Sequence, residues 1–501
     1  MNELTSWIVS FDTDQIKNYI FSTNRLKEIR GASSLLLKLD RRRKKWIKNV
    51  VPGINEDNIV YSAGGGTSVL LDNEDQAKKV IAEVSRNFLD KTVTATITGV
   101  LLPPTSIFEL FGQRMKQAGE QLRQAKEAKA ELTNLPVEPY LHLCHSCEKY
   151  PAVEIMAERN NELLCKSCAV KRSYGDRSEF YQEFLKYVKK QDKNNQIWKK
   201  EMLPKDLDTI GKVAYPPGYI GLIALDGNHM GNFLNKLKKK EDYQEFSKRI
   251  NCLVMDQTFT ALKRYGQPRR LDTESYVAPF EIVIMGGDDV FLITAADIAI
   301  EVALSIAEGF EEGSKPILEG ADMLQEKITM AGGVVLAHAK FPIPAMYKIS
   351  EELQKSAKKI CAENKYQTGA LDFVVVSSSD TDLEEMRSPI PHYRPYLCKN
   401  LRKLVNYIRR FKKEEFPTSQ LQAMYQSLFA GKINAQLAAI ATLGRLCQSQ
   451  DQKKYKLLRN FFKDFDVAFN GQLPPWTEKK ITALADLVEL YPFIGKEGEE
   501  K

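Results

Sequence analysis

Apolar and polar positions along this chain fall into blocks whose period switches between two and 3.6 residues, and the order of the blocks recurs. Trp7 to Phe11 reads as a strand, and from Asn24 to Leu39 the residues Leu26, Ile29, Ala32, Ser33 and Leu36 keep helical spacing. Two short β-prone runs follow, Ile59 to Tyr61 and Ser68 to Leu71, on either side of Ala63-Gly64-Gly65-Gly66-Thr67. Glycines between two such runs signal a hairpin. A helix is predicted from Asp75 to Leu89, then a strand rich in Thr, Val and Ile from Thr92 to Leu101. The order is β-α-β-β-α-β, the ferredoxin-like pattern.

The same order returns later. Tyr219 to Leu225 is strand-like, and Tyr243 to Arg264 is helical. Phe280 to Met285 and Val290 to Ile293 flank the turn Gly286-Gly287-Asp288-Asp289. Ala296 to Phe310 is helical, Ile328 to Ala337 is the fourth strand, and a further helix (Ala345 to Cys361) leads to a last strand, Leu371 to Val376. Between the repeats lie a Lys- and Gln-rich helical stretch, Phe111 to Leu132, a cysteine cluster and more charged helix. Beyond Asp382 the pattern is helical, apart from a proline-rich link at Pro389 to Pro395. The expected fold is α+β in four segments. These are a first repeat at 1–110, a helical insert with the cysteines at 111–215, a second repeat at 216–380 and a helical domain at 381–501.

Composition narrows the class. A chain of 501 residues, 43% hydrophobic and 27% charged, suits a globular protein of several domains. No apolar run approaches the roughly 20 residues that span a bilayer, and Met1 to Asp14 lacks the basic start and apolar stretch of a signal peptide. The expected location is the cytoplasm. The net charge of +7 is uneven, with basic runs at Arg41 to Lys45, Lys238 to Lys240, and Arg409-Arg410 with Lys412-Lys413. Each run alone reads as a solvated face; together they make contact with an RNA backbone an expectation.

Of eight cysteines, four form two Cys-x-x-Cys pairs, Cys144/Cys147 and Cys165/Cys168, with seventeen residues between the pairs. That spacing is a structural zinc signature: four thiolates fill a tetrahedral ion and leave no open position.

The stretch Glu281 to Ile293 carries two adjacent aspartates at a hairpin tip between apolar strands. Gly and Asp are ordinary turn residues, but side-by-side carboxylates repel unless a cation relieves them. Asp226 ends the first strand of the same repeat, which lies beside the central hairpin in a β-α-β-β fold. Three carboxylates converging there can hold two Mg²⁺ or Mn²⁺ ions, and Gly286 and Gly287 leave room for a triphosphate. The first repeat keeps Asp12 and Asp14 at its strand end, but its hairpin is Ser62-Ala63-Gly64-Gly65-Gly66. It is either a decayed duplicate kept for packing or, the favoured reading, a half-site that binds a second nucleotide through Gly64, Gly65 and Gly66.

Several segments together resemble the large subunit of type III CRISPR effector complexes. They are Phe11 to Phe21, Arg25 to Ser33, Leu225 to Gly231, the Gly-Gly-Asp-Asp turn, and Gly332 to Pro342, in order over nearly the whole chain. The resemblance implies two palm domains that bind two ATP molecules at their interface. It also implies synthesis of a cyclic oligoadenylate second messenger switched on by target RNA, and docking to other effector subunits and guide RNA. Under it, Asp226 and Asp288 are the main metal ligands, Asp289 assists, Asn228 lies in the nucleotide site, and Lys340 and Lys358 are candidates for phosphate contacts. Two departures stand out. None of the five histidines is followed by Asp, so the family's His-Asp nuclease is not expected. Asn228-His229 stands where many members carry an acidic residue, so the product is a cyclic oligoadenylate or a related AMP conjugate. A non-catalytic scaffold and a stand-alone nucleotide cyclase are the competing readings.

Overall fold

The first repeat folds from β1 (Trp7–Thr13), α1 (Ile16–Ile20), α2 (Leu26–Val50), β2 (Ile59–Ala63), β3 (Gly66–Leu71), α3 (Glu74–Thr92) and β4 (Ile97–Leu102). The computed structural model describes residues 6–105, 110–129, 141–156, 161–192, 197–320, 326–377, 381–387, 390, 392–449, 451–465, 474–477, 479 and 481–495. The end of the expected helical stretch at Leu132, and Pro389 and Pro391 of the link, lie outside these residues. The four strands form an antiparallel sheet in the order β2-β3-β1-β4. The central strand is buried on both faces, with the consecutive residues Ile8, Val9, Ser10 and Phe11 all inside.

Two boundaries differ from the pattern reading. Helix α2 runs eleven residues past Leu39, to Val50. Its basic stretch hides an inward residue: Arg43 is fully buried, and its guanidinium donates to the Gly65 carbonyl (2.8 Å) and Thr67 Oγ1 (3.0 Å). Helix α3, capped by the Asn73 side chain accepting from the amides of Asp75 and Gln76, continues to Thr92. The fourth strand therefore starts at Ile97.

The insert holds α4 (Phe111–Glu127), the hairpin β5 (Glu154–Met156) and β6 (Glu162–Leu164), then α5 (Lys166–Tyr174), α6 (Glu179–Gln191) and α7 (Leu207–Lys212). The second repeat follows as β7 (Tyr219–Gly227), α8 (Met230–Leu234), α9 (Lys240–Tyr265), the short pair β8 (Arg269–Arg270) and β9 (Tyr276–Val277), β10 (Phe280–Gly286), β11 (Asp289–Ala295), α10 (Ala296–Gly320), β12 (Met330–His338), α11 (Ile343–Glu363) and β13 (Ala370–Val375). Next come α12 (Leu383–Arg387), β14 (Tyr396–Leu397) and the helices α13 (Cys398–Lys413), α14 (Thr418–Phe429), α15 (Lys432–Gln448), α16 (Gln452–Asp464) and α17 (Ala483–Leu490). The sheet order is β10-β11-β7-β12-β13-β14. Its first four strands repeat the first sheet, and β13 joins parallel to β12 through α11. The fold is α+β with two ferredoxin-like palm units, as the sequence pattern implies.

Each unit lends a helix to the other. The edge strand β10 packs against α2 and the edge strand β2 against α9. Ser33 of α2 donates to the Val283 carbonyl (2.5 Å), and Gln244 of α9 donates to the Ile59 carbonyl (2.7 Å). Both exposed sheet edges are thus covered from across the interface. A buried ion pair pins the seam, with Arg30 donating to Glu281 Oε2 from Nε (2.8 Å) and Nη2 (2.6 Å).

Candidate functional site

The two hairpins meet tip to tip. In the second unit Gly286 pairs with Asp289, leaving Gly287-Asp288 as the turn; in the first, Ala63 pairs with Gly66, leaving Gly64-Gly65. Gly64 (φ +61°) and Gly287 (φ +62°) occupy the left-handed region at equivalent positions, which glycine enters without a Cβ penalty. The register makes Gly65 and Gly66 the counterparts of Asp288 and Asp289, and Asp12 the counterpart of Asp226. One carboxylate of three survives in the first unit.

Each turn is held by a helix. Asn251 Oδ1 of α9 accepts from the Gly287 amide (3.0 Å), and Asp40 Oδ2 of α2 accepts from the Gly65 amide (3.2 Å). Asp288 reaches the central strand because Gly227 has no side chain: a Cβ there would lie 2.8 Å from Asp288 Cβ and Oδ2. Leu225 pairs with Val290, so Asp226, next to last in its strand, lies beside the two hairpin acids.

The electrostatics follow from this crowding. Burial first, then the charges of Asp226 and Asp289, push the Asp288 carboxyl up to about 7. Burial and Asp226 push Asp289 up to about 6 against the opposing pull of Lys17. Two groups are set against these acids. Lys358 of α11 pairs with Asp226, and Lys17 Nζ of the first unit's α1 lies 3.3 Å from Asp289 Oδ1. Hard oxygen donors crowded until two of them resist ionisation suit divalent cations such as Mg²⁺ or Mn²⁺.

A cavity of about 830 Å³ opens in front of the tips, bounded by Gly64, Gly286, Gly287, Asp288 and Asp289 on one side and by Tyr61, Arg123, Lys126, Ser247 and Lys248 on others. Its size is that of small-molecule sites. Asp12 borders it too, but Lys126 Nζ sits 2.6 Å from Asp12 Oδ2, and Lys129 Nζ sits 2.6 Å from Asp14 Oδ2. Although burial opposes it, the bonds from Lys129, Thr96 and Thr98 hold Asp14 below the usual carboxylate range. The first unit neutralises its strand-end acids with Lys126 of α4 and Lys129 just beyond that helix.

The sequence expectations sort cleanly. Asp226, Asp288, Asp289 and Lys358 come together, and Gly64, Gly66, Gly286 and Gly287 border the cavity along with Asp288 and Asp289. Gly65 instead lines a smaller void on the far side, its amide and carbonyl committed to Asp40, Thr13 and Arg43. Lys340 does not join them. Strand β12 runs antiparallel to β7, with Ala331 opposite Asp226 and His338 opposite Tyr219, so Lys340 lies beyond the other end of the sheet. Asn228 is also withdrawn, being buried with its side-chain amide donating to Thr329 Oγ1 (2.9 Å). The basic run at 41–45 is not a uniform face: Arg41 pairs with Glu179 and Glu183, Lys44 with Glu56, and Arg43 is internal. Lys17, Asn251 and Gly227 escaped the sequence reading. For Asn251 a signal existed, since Gln244, Ser247 and Asn251 form a polar stripe at i, i+3, i+7 and all three line the cavity.

The four cysteines form a second site, all buried, with their sulfurs within 4.8 Å of one another. It is the one such cluster of metal-ligand atoms among the described residues. Cys147 Sγ and Cys165 Sγ are 3.8 Å apart, the edge of a tetrahedron with metal–sulfur bonds of about 2.3 Å. The amides of Ser146 and Cys168 donate to Cys144 Sγ and Cys165 Sγ, both at 3.4 Å. Hydrogen bonding among the sulfurs draws the Cys144 thiol down and pushes Cys168 up, so the set cannot ionise together without a cation. The donors fit zinc. Helix α5, which starts at this cluster, lies on α2: a Cβ on Gly31 would sit 1.7 Å from the Lys171 carbonyl oxygen.

Known proteins match this architecture. Residues 219–367 match the family described as Cas10/Cmr2, second palm domain. The CRISPR system Cmr subunit Cmr2 of Pyrococcus furiosus is 27% identical over an alignment of 180 residues that covers 32% of this chain and 19% of that protein. The Csm1–Csm4 cassette in complex with one ATP superposes with a TM-score of 0.61 at 14% identity, covering 99% of this chain and 70% of the other. Csm1 of T. onnurineus gives 0.58 at 13% identity, covering 98% and 70%. Against the cassette bound to AMPPNP, this chain spans 65% of the length of the chain it matches. Similarity to the large subunit of type III CRISPR effector complexes thus rests on sequence in the second palm and on fold across the chain. Among the described residues no helix is long and apolar enough to cross a membrane.

Proposed function

We propose that this chain is the nucleotidyltransferase subunit of a type III CRISPR ribonucleoprotein, activated by target RNA and making a cyclic oligoadenylate, or a related AMP-containing messenger, from ATP. The observation that carries the proposal is the convergence of Asp226 on Asp288 and Asp289, two acids that line an inter-palm cavity large enough for nucleotide. A pair of divalent ions, Mg²⁺ or Mn²⁺, would be held there by these three carboxylates, and would supply charge for an attacking 3′-hydroxyl and a departing pyrophosphate.

The protein's own residues do the rest. The glycine turns let a triphosphate approach the backbone, the Gly287 amide is oriented by Asn251, and Lys358 stands ready to pair with phosphate. The first palm adds Gly64 beside the acidic turn and contributes Gly66 and Tyr61 to the cavity wall, where a second nucleotide would present its ribose. The bond formed joins a 3′-oxygen to an α-phosphorus, the bond broken releases pyrophosphate, and the hydroxyl proton leaves to solvent. Positioning and charge stabilisation carry such a reaction. The zinc module is structural, and the helical C-terminal region is proposed to dock other effector subunits, with guide and target RNA bound by the assembled complex.

The test is the complete complex incubated with ATP, Mg²⁺ and matching target RNA, followed by mass spectrometry, beside the Asp288→Ala, Asp289→Ala double variant. A target-dependent adenylate that vanishes in the variant is expected. Absence of product, even with other metals or an added cell extract, would leave the chain as a scaffold.

A further inference from the structure

Lys17 belongs to the palm without hairpin acids, yet it touches the other palm's acidic turn. Strand β1 ends at Thr13, Gln15 takes a left-handed conformation (φ +46°), and the redirected chain enters α1 with Lys17 aimed across the seam. Its ammonium rests 3.3 Å from Asp289 Oδ1 and 4.7 Å from the centre of the Phe291 ring, on the strand that carries Asp289. With Lys358 on Asp226, two of the three acids each carry one ammonium. The first palm shows the same chemistry in finished form, with Lys126 and Lys129 set against Asp12 and Asp14.

We infer that Lys17 is a cross-palm placeholder, holding the position beside Asp289 that a divalent cation takes when the site is loaded. This inference rests on the two-ion reading of the site. A lysine suits the role because its ammonium is a single charge on a flexible stem, able to leave when a doubly charged ion arrives. Its departure breaks a tie between the palms, so ion occupancy and the seating of the palms are linked, and each must influence the other equally.

The test measures Mn²⁺ binding to the full-length protein without nucleotide, by electron paramagnetic resonance, for wild type, Lys17→Met, Lys17→Arg and Asp288→Ala. Removing the competing charge should tighten Mn²⁺ binding about fivefold in Lys17→Met, the scale of one partly exposed ion pair. Lys17→Arg should bind like wild type. Unchanged or weaker binding in Lys17→Met, or equally tight binding in Lys17→Arg, overturns the placeholder role while Asp288-dependent binding still stands. Absence of any Mn²⁺ signal sensitive to Asp288→Ala overturns both this inference and the reading beneath it. Melting curves separate these outcomes from misfolding, and wild-type folding of Lys17→Arg keeps the charge comparison valid.

Discussion

Gly64 of the palm without acids and Gly286 of the palm with them touch backbone to backbone: a Cβ on Gly64 would lie 3.4 Å from the Gly286 carbonyl oxygen, and one on Gly286 would lie 3.3 Å from Gly64 Cα. A side chain on Gly286 would be tight against Gly64, and one on Gly64 would make ordinary contact but sit on a left-handed backbone at φ +61°. Gly64→Ala should therefore cost about 1–2 kcal/mol of stability and lower nucleotidyl transfer, although no acid lies in that hairpin. Denaturant melts and product formation by the assembled complex check both halves. Full activity in this variant would show that the tips need not meet.

The buried Arg30–Glu281 pair should behave as other buried pairs do. Arg30→Ala strands a charge and is expected to cost about 3–5 kcal/mol. Glu281 and Arg30 replaced together by methionine should recover much of that loss, although Arg30 also donates to the carbonyls of Gly175 (3.2 Å) and Pro204 (2.5 Å). Chemical denaturation of the two variants decides it.

The acidic turn makes a pH prediction for the ion-free protein. Asp288 is pushed from 3.8 up to about 7, so between those values the folded state keeps a proton that the unfolded chain has released. More protons bound in the folded state means stability falls as pH rises through that window. Asp288→Asn should raise the melting temperature in EDTA near pH 8 and flatten the slope between pH 4 and 7. Divalent-ion affinity in the wild type should climb from pH 6 to 8, with proton release on binding, measurable by calorimetry in two buffers.

Zinc removal should reach beyond the cysteine loop. Because α5 begins at Cys165 and packs on α2 through Gly31, losing the ion frees a helix that supports the first palm. Cys168→Ser should lower zinc content from one ion per chain, read by elemental analysis, and lower the melting temperature. An unchanged melt with zinc gone would confine the ion's effect to the loop.

How much of this was legible beforehand follows from the kind of interaction involved. Strand and helix periods, the glycine hairpins and the Cys-x-x-Cys pairs are local, so the repeated β-α-β-β-α-β order and the four-sulfur cluster could be read from spacing alone. Asp226 could be joined to Asp288 and Asp289 because the topology fixes which strands are neighbours. Positions that depend on direction or on the other palm could not. Lys340 sits one turn past a strand whose antiparallel register sends it to the far end of the sheet, and Asn228 turns inward to Thr329. Arg43 looked like surface charge within a basic run, yet the packing of α2 buries it under a hairpin. Above all, the helix exchange between palms and the reach of Lys17 to Asp289 join residues 272 positions apart. A sequence records which side chains are available; only packing of the two units against each other decides which charges face the same site.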